Sequence, residues 1–127
     1  AIYINSYFPH FLSDLIKKMN GRLIHVSTDC VFSGAKGDYS EFDLSDAVDI
    51  YGKTKSLGEV NNKNDLTFRT SIIGPELKME GEGLFHWLMN QTGSIHGFTK
   101  VFWSGVTTLE LARAIHAAIE ENLTGLI

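Results

Sequence analysis

Apolar residues recur at helical spacing in two segments of the chain, residues 7–19 and 109–122. In the first segment, Pro9 suits the opening turn and Asn20-Gly21 is a typical helix stop. In the second segment, Thr108 is the predicted N-cap. Shorter helices are predicted over residues 51–62 and 83–89, so helices are expected along much of the chain.

Short apolar runs between these helices have the length and composition of buried parallel strands. They cover residues 23–27 and 66–73, the second of which is closed by Gly74-Pro75. One or two further strands are predicted within residues 95–103, and Thr124-Gly125 is typical of a turn into a last strand. Because strands and helices alternate, the sequence predicts an α/β protein with a doubly wound parallel sheet.

Polar residues follow two of the predicted strands. Ser27-Thr28-Asp29 ends the first strand, and Thr70-Ser71 lies towards the end of the next. In an open parallel sheet the functional site lies at the carboxyl ends of the strands. We therefore expect these two groups to contribute to one site.

The composition narrows the range of partners and locations. A net charge of −4 and a pI near 5.7 give no electrostatic reason to expect nucleic acid. The single cysteine, Cys30, excludes an internal disulfide and fits a reducing compartment. No apolar stretch approaches the roughly 20 residues of a membrane span and no signal peptide opens the chain, so the expected location is the cytoplasm. The histidines lack the spacing of a metal site, and no metal is predicted.

Tyr51 and Lys55 lie four residues apart in a predicted helix, which places both side chains on one face. A nearby ammonium favours the charged form of a phenol and makes the phenol a better proton donor near neutral pH. Such a tyrosine can deliver a proton to an alkoxide during carbonyl reduction. Taken alone the pattern is weak, because an exposed helix with a solvated lysine and a tyrosine over an apolar edge would also carry it.

A hydroxyl at the first strand end strengthens the catalytic interpretation. Thr28 precedes Tyr51 by 23 residues, and its hydroxyl can hydrogen-bond a substrate carbonyl beside the tyrosine. That is the polarising role that a reductase needs. The alternative is a strand-end turn in which Asp29 caps a backbone amide.

Three motifs resemble those of the extended short-chain dehydrogenase/reductases, namely HVSTDCVFSG (25–34), YGKTKSLGE (51–59) and RTSIIGP (69–75). Within that family the chain looks most like the dTDP-4-dehydrorhamnose reductase branch, over essentially its whole length. The resemblance implies that residues 1–75 are the C-terminal half of an NAD(P)-binding Rossmann domain. It also implies that residues 76–127 form part of a small sugar-nucleotide-binding lobe with a returning helix.

The resemblance implies catalytic roles for individual residues. Thr28 would bind the substrate carbonyl, Tyr51 would be the general acid, and Lys55 would assist the tyrosine and hold the nicotinamide ribose. Asp29, beside the site, completes the implied catalytic set. The reaction would reduce a nucleotide-activated 4-keto-6-deoxy sugar with NADPH or NADH.

Further residues are implied to contact the cofactor and the sugar nucleotide. The implied cofactor-binding residues are Ser27, Tyr51, Lys55, Thr70 and Ser71. The implied substrate-binding residues are Thr28, Asp29, Tyr51, Trp103 and Thr107. Trp103 would stack on a base or sugar, and the alternative is an aromatic core residue of the small lobe. The branch often has an aromatic residue where this chain has Ile72.

The glycine-rich turn that cradles a dinucleotide pyrophosphate is absent from the sequence. In the family that turn lies N-terminal to everything found here, so the chain is expected to be a C-terminal fragment that is inactive alone. Two other functions stay open: an epimerase or dehydratase of the same superfamily, and a non-catalytic regulatory subunit like that of methionine adenosyltransferase. A homodimer through the helices at residues 8–19 and 51–62 is expected by analogy.

Overall fold

Helices and strands alternate along the chain in the computed structural model, which describes residues 1–78 and 81–127. The helices are α1 (Phe8–Lys17), α2 (Ile50–Leu57), α3 (Leu84–Met89) and α4 (Thr108–Glu120). The strands are β1 (Ile24–Val26), β2 (Leu66–Phe68), β3 (Ile72–Ile73), β4 (Val106–Thr107) and β5 (Gly125–Leu126). A π-helical turn, Tyr3–Tyr7, precedes α1, and a 3₁₀ turn, Asp29–Val31, follows β1.

The strands form two parallel sheets, a three-stranded sheet in the order β1-β2-β5 and a two-stranded sheet of β3 and β4. In the larger sheet Leu66 of β2 lies between Ile24 of β1 and Gly125 of β5. In the smaller sheet Ile72 pairs with Val106. The predicted fold class, α/β with parallel strands connected through helices, is confirmed.

Helices cover both faces of the larger sheet. On one face, Leu66 and Phe68 of β2 form a buried core with Leu111 and Ala118 of α4. Side chains alternate along a strand, so Thr67 points to the opposite face, where its hydroxyl donates a 2.7 Å hydrogen bond to the carbonyl of Val60, just beyond α2. Cover on both faces is the arrangement of a doubly wound sheet.

A buried carboxylate, Asp65, ties α1 and β1 to the start of β2. Its side chain is almost fully enclosed, with 1% of the residue exposed. It accepts hydrogen bonds from Ser13 Oγ (2.5 Å), the Leu23 amide (2.7 Å), Asn62 Nδ2 (2.8 Å) and Asn64 Nδ2 (3.0 Å). Burial alone would raise the pKa of Asp65, but these donors outweigh it and hold the pKa below its ordinary value.

The prediction of one continuous strand over residues 66–73 is wrong. The amide of Arg69 still pairs with the larger sheet, through the carbonyl of Ile127 (2.7 Å). The carbonyl of Ser71 instead accepts from the amide of Val106 (2.9 Å), in the smaller sheet. The backbone therefore changes sheets between these two residues, and the ladder breaks into β2 and β3.

Other boundaries also differ from the prediction. Helix α2 ends at Leu57, where Gly58 packs so closely against the π-helical turn that a Cβ on Gly58 would lie 1.7 Å from the Asn5 carbonyl oxygen. The N-cap of α4 is Thr107, whose side chain accepts from the Glu110 amide, and the expectation that Thr108 caps this helix is wrong. Residues 95–103 contain no strand, so the prediction of one or two strands there is wrong. The nearest strand, β4, begins at Val106.

Candidate active site

The first turn of α2 lies directly against the 3₁₀ turn that follows β1. Asp49 caps the helix by accepting from the Gly52 amide (2.9 Å). Gly52 itself is buried, and a Cβ at this position would lie 2.2 Å from the Cys30 carbonyl oxygen. Only glycine permits so close an approach. This contact brings Tyr51, the neighbour of Gly52, next to the turn that contains Asp29.

Lys55 connects α2 to the carboxyl end of β1. Its Nζ atom donates a 2.9 Å hydrogen bond to the carbonyl oxygen of Val26, the last residue of the strand. Burial lowers the pKa of Lys55, and the negative charge of Glu59 opposes that shift. Tyr51 lies one turn earlier on α2, so its side chain shares the helix face from which Lys55 reaches β1. The Tyr51 residue is 52% exposed, so a ligand can reach its ring.

Thr28 and Asp29 form the turn at the end of β1. The Thr28 Oγ1 atom accepts from the Cys30 amide (3.2 Å) and donates to Asp29 Oδ1 at 3.3 Å. The predicted alternative of a strand-end turn therefore describes this backbone, but the cap comes from Thr28 and not from Asp29. A hydroxyl oxygen that accepts from the backbone still carries a proton to donate, and in this structure that proton is directed at Asp29 over a long 3.3 Å contact.

Ser27 is hydrogen-bonded to Glu59, which in turn binds Arg69, and neither of these two residues was predicted to belong to the site. Its hydroxyl donates to Glu59 Oε1 (2.8 Å), and Glu59 is bound by Arg69 through Nε to Oε1 (2.9 Å) and Nη2 to Oε2 (2.7 Å). Glu59 and Arg69 both stand inside recognised motifs. Their side chains are paired across the sheet edge, a relationship that neither motif indicates.

Ser71 and Trp103, predicted to serve the cofactor and the substrate, are hydrogen-bonded to each other. The indole Nε1 of Trp103 donates to Ser71 Oγ (2.8 Å). The indole also lies over Gly105, where a Cβ would stand 2.0 Å from its Cζ2 atom. Half of the Trp103 surface remains exposed. Thr70 turns its hydroxyl to the Ser71 carbonyl (3.2 Å).

Thr107 and the glycine-rich segment 81–83 have local structural partners. The hydroxyl of Thr107 caps α4 through the Glu110 amide (3.1 Å). The carboxylate of Glu76 accepts from the amides of Glu82 (3.2 Å) and Gly83. These backbone bonds, the one from Gly83 above all, lower the pKa of Glu76. None of the hydrogen bonds among residues 1–78 and 81–127 joins Thr107 or residues 81–83 to Tyr51 or Lys55.

An ordered loop, residues 32–46, leaves the 3₁₀ turn. Phe32 stacks on Tyr39 with ring centroids 4.3 Å apart. Asp46 accepts from the amide (2.7 Å) and hydroxyl (2.6 Å) of Ser33 and from the Tyr39 hydroxyl (3.2 Å). An ion pair with Lys36 and hydrogen bonds from Ser40 lower the pKa of Asp43 to about 2. These contacts give the loop a defined shape beside the candidate site.

Residues 1–78 and 81–127 contain neither a metal-binding cluster nor a membrane-spanning helix. No group of three or more His, Cys, Asp or Glu side chains is placed to hold a metal ion in this part of the chain. Among its helices, none combines the length and the apolar character that a membrane crossing requires.

Comparison with known proteins places the chain in a family. Residues 1–76 match the family model of the RmlD substrate binding domain. The chain belongs to this family. The match contains the whole of β1, α2 and β2, and therefore Thr28, Tyr51, Lys55 and the Glu59–Arg69 pair.

Curated relatives agree with this membership. The chain is 38% identical over 60 residues to a dTDP-4-dehydrorhamnose reductase of Aggregatibacter actinomycetemcomitans, covering 46% of the chain and 20% of the relative. It is 40% identical over 78 residues to a dTDP-4-dehydrorhamnose reductase of Burkholderia thailandensis, covering 58% and 26%. It is 35% identical over 79 residues to the spore coat polysaccharide biosynthesis protein SpsK of Bacillus subtilis, covering 58% and 28%. The chain thus spans between a fifth and a little over a quarter of these relatives, and no solved structure matches it significantly.

Proposed function

We propose that this chain is the catalytic part of an NAD(P)H-dependent reductase of a nucleotide-activated 4-keto-6-deoxy sugar. The observation that carries the proposal is the position of Lys55, whose amine is bound to the Val26 carbonyl, directly before Ser27-Thr28. Tyr51 stands one turn earlier on the same face, accessible to a ligand. A proton donor, a cation beside it and a hydroxyl are the groups that carbonyl reduction requires.

In this proposal Tyr51 donates its proton to the ketone oxygen, and the positive charge of Lys55 stabilises the phenolate that remains. Thr28 hydrogen-bonds the same oxygen and orients it. Its bond to Asp29 is 3.3 Å long, which is long for a hydroxyl donor, so little is lost when the hydroxyl turns towards a substrate. Asp29 supports the turn that holds Thr28.

The residues present fit the nicotinamide end of a dinucleotide. An ammonium has three donors, and Lys55 uses one on Val26, which leaves two for ribose hydroxyls. Ser27, Thr70 and Ser71 are further hydroxyls near the strand ends. Bound NADPH or NADH would supply the hydride. The chain has no glycine-rich turn for the pyrophosphate, so this proposal concerns the intact protein that contains these residues.

The region after Pro75 is proposed to bind the sugar nucleotide. In this proposal residues 1–75 form the cofactor-side domain and residues 76–127 form part of the substrate lobe. Residues 79–80 of that lobe lie outside the part of the chain that the structure describes. The half-exposed indole of Trp103, fixed by Ser71 and Gly105, offers a flat surface for a base or sugar ring. Thr107 is kept as a proposed substrate contact, in addition to its capping role.

The names of the relatives support the substrate class. Two are dTDP-4-dehydrorhamnose reductases and a third is named for polysaccharide biosynthesis. The cytoplasmic location, the homodimer and the absence of nucleic acid or membrane partners are also proposals. For the dimer, the support is the exposed apolar side of α1 and the turn before it, where Tyr3, Tyr7 and Phe11 stack in sequence.

The proposed activity is tested with the intact protein by mixing it with NADPH and a dTDP-4-keto-6-deoxy sugar and following cofactor absorbance. Wild type should oxidise NADPH in proportion to substrate. Tyr51→Phe should lose about 10²-fold or more in rate. Tyr3→Phe, which removes the hydroxyl of an exposed tyrosine outside the proposed site, is the matched control and should keep the wild-type rate.

The alternatives give different results. Conversion of the sugar without net NADPH consumption would identify an epimerase or dehydratase. Co-purification of a larger enzyme, with no turnover of any nucleotide sugar, would identify a regulatory subunit. Wild-type oxidation that Tyr51→Phe leaves unchanged would remove Tyr51 from the mechanism.

A further inference from the structure

The ion pair between Glu59 and Arg69 is an internal feature of the fold. Glu59 stands two residues beyond α2, and Arg69 directly follows β2. The guanidinium binds both carboxylate oxygens, at 2.9 and 2.7 Å, and the side chains are only 6% and 11% exposed. A two-point contact between a planar fork and a carboxylate fixes orientation as well as distance. The pair therefore holds the end of α2 in one position relative to the end of β2.

The same carboxylate also fixes the end of β1. Ser27 donates to Glu59 Oε1 from its side chain (2.8 Å) and to the Phe68 carbonyl from its amide (2.7 Å). One turn earlier on α2, Lys55 binds the carbonyl of Val26. Lys55 thus holds Val26, the last residue of β1, and Glu59, four positions later, holds Ser27, the residue after the strand. Thr28 is the next residue along the chain.

Arg69 extends these contacts to the loop 32–46. Its guanidinium carbon lies 5.0 Å from the centroid of the Phe32 ring, and Nη1 reaches the Glu41 carbonyl at 3.4 Å. Phe32 stacks on Tyr39, which is bound to Asp46. Arg69 therefore contacts both Glu59, beyond the end of α2, and the loop that borders the candidate site.

An ionic contact in this place serves geometry more than stability. A buried ion pair contributes little net stability relative to apolar residues of the same volume, whereas its hydrogen bonds admit one arrangement. The charge of Glu59 also acts on its neighbour, since it opposes the effect of burial on the pKa of Lys55. Substitution of either partner leaves the other charge buried and incompletely paired, so it should both displace the strand end and lower the unfolding midpoint.

We propose that Glu59 and Arg69 are positioning residues that hold Ser27-Thr28 in register with Tyr51 and Lys55 and anchor the loop 32–46 beside them. This inference rests on the proposed reductase function for its catalytic consequence, but the register it describes is a property of the fold. It can therefore be tested both with activity and without it.

The activity-independent test uses Cys30, an exposed thiol two residues after Thr28. A trifluoromethyl label on Cys30 of the intact protein, with its fluorine signal assigned by Cys30→Ser, reports the environment of the turn. Glu59→Gln, which keeps the shape without the charge, and Arg69→Lys, which keeps the charge without the fork, should each shift or broaden this signal. The exposed pair Glu110–Arg113 supplies the matched controls, Glu110→Gln and Arg113→Lys, which should leave it unchanged.

The kinetic test separates positioning from general stability. Each variant is assayed for NADPH oxidation well below its unfolding midpoint, and kcat is expressed per folded molecule. Misalignment should lower kcat by about 10- to 100-fold, with little change in the substrate KM, because neither residue is proposed to touch the substrate. A merely structural role would lower the unfolding midpoint and leave kcat per folded molecule unchanged.

The two proposals fail in different ways. If the wild-type protein oxidises no NADPH with any nucleotide sugar, the proposed function is wrong, and the fluorine signal still decides the positioning inference. If Glu59→Gln and Arg69→Lys leave both the signal and kcat at wild-type values, the positioning inference is overturned while the reductase stands.

Discussion

The amine of Lys55 is bound to the carbonyl oxygen of Val26 at 2.9 Å, across 29 positions of sequence. This one contact connects the middle of α2 to the carboxyl end of β1. It places the positive charge at the strand end that Ser27 and Thr28 follow, and it does so on the helical face that also carries Tyr51. The relative position of α2 and β1 therefore determines whether the candidate site is assembled.

Replacement of Lys55 by methionine should strongly reduce turnover and leave the fold intact. Methionine is similar in length but cannot donate to Val26 and carries no charge to stabilise a phenolate. We expect kcat for NADPH oxidation to fall by about 10²-fold. Lys53→Met on the exposed side of the same helix is the matched control. Equal rates for the two variants would show that the position of the charge on α2 is irrelevant.

Gly52→Ala should destabilise the protein and damage the site at the same time. The added Cβ would lie 2.2 Å from the Cys30 carbonyl oxygen and 2.6 Å from Ala47 Cβ, so helix and turn must separate. Overpacking of this kind costs about 1–3 kcal/mol, which urea unfolding measures directly. Gly97→Ala, where a Cβ meets nothing within 4 Å, should change the unfolding free energy by less than about 0.5 kcal/mol. Similar losses for both variants would contradict the close contact at Gly52.

Local pattern predicted the elements whose stability comes from one apolar face. Helix α4 was predicted because Leu111 and Ala118 repeat at helical spacing, and in the structure both residues pack on β2. The strand over residues 66–73 was predicted as continuous because its composition stays the same at the point where the backbone passes from the larger sheet to the smaller one. Arg69 pairs with Ile127 whereas Ser71 pairs with Val106, and both partners lie more than 30 positions away along the chain. A prediction from neighbouring residues does not include such distant partners.

In the candidate site, too, the features set by neighbouring residues were predictable and those set by distant residues were not. The spacing of Tyr51 and Lys55 within one helix is a local property and was read correctly as one face of α2. The contacts of Ser27 with Glu59 and of Trp103 with Ser71 join positions 32 residues apart. A single sequence contains no signal for such pairings when the residues are ordinary polar or aromatic types. Glu59 and Arg69 could therefore be recognised as motif residues, but the ion pair between them could not be predicted.

Trp103 should report substrate binding through its fluorescence. Its indole is half exposed and held by Ser71, so a ring stacked on it should quench or shift the emission. We expect a saturable change on titration of the intact protein with a nucleotide sugar, and loss of that change in Trp103→Phe. Trp87→Phe removes the other tryptophan of the chain and should preserve the signal. A fluorescence change that is lost in Trp87→Phe and kept in Trp103→Phe would show that the ligand does not bind at Trp103.

Asp65 should make the fold sensitive to acid. Burial raises its pKa, but the donors from Ser13, Leu23 and the two asparagines outweigh burial and lower it. A carboxyl with a depressed folded-state pKa stabilises the fold at pH values above its ordinary pKa of 3.8. It loses that contribution as the pH falls through the folded-state pKa. In Asp65→Asn the side-chain amide can accept hydrogen bonds only through its one oxygen, so some of these donors lose their acceptor. The substitution should lower the free energy of unfolding by about 3 kcal/mol at neutral pH.

The pH dependence distinguishes this effect from a general loss of packing. Unfolding free energy is measured at about pH 7 and about pH 3 for wild type, Asp65→Asn and the exposed control Asp14→Asn. The gap between wild type and Asp65→Asn should narrow on acidification, because the wild type then loses what the variant already lacks. His25, whose pKa is lowered by burial and by Lys55, also weakens the fold in acid, but it does so equally in all three proteins. A gap that stays constant with pH would assign the loss to shape and not to charge.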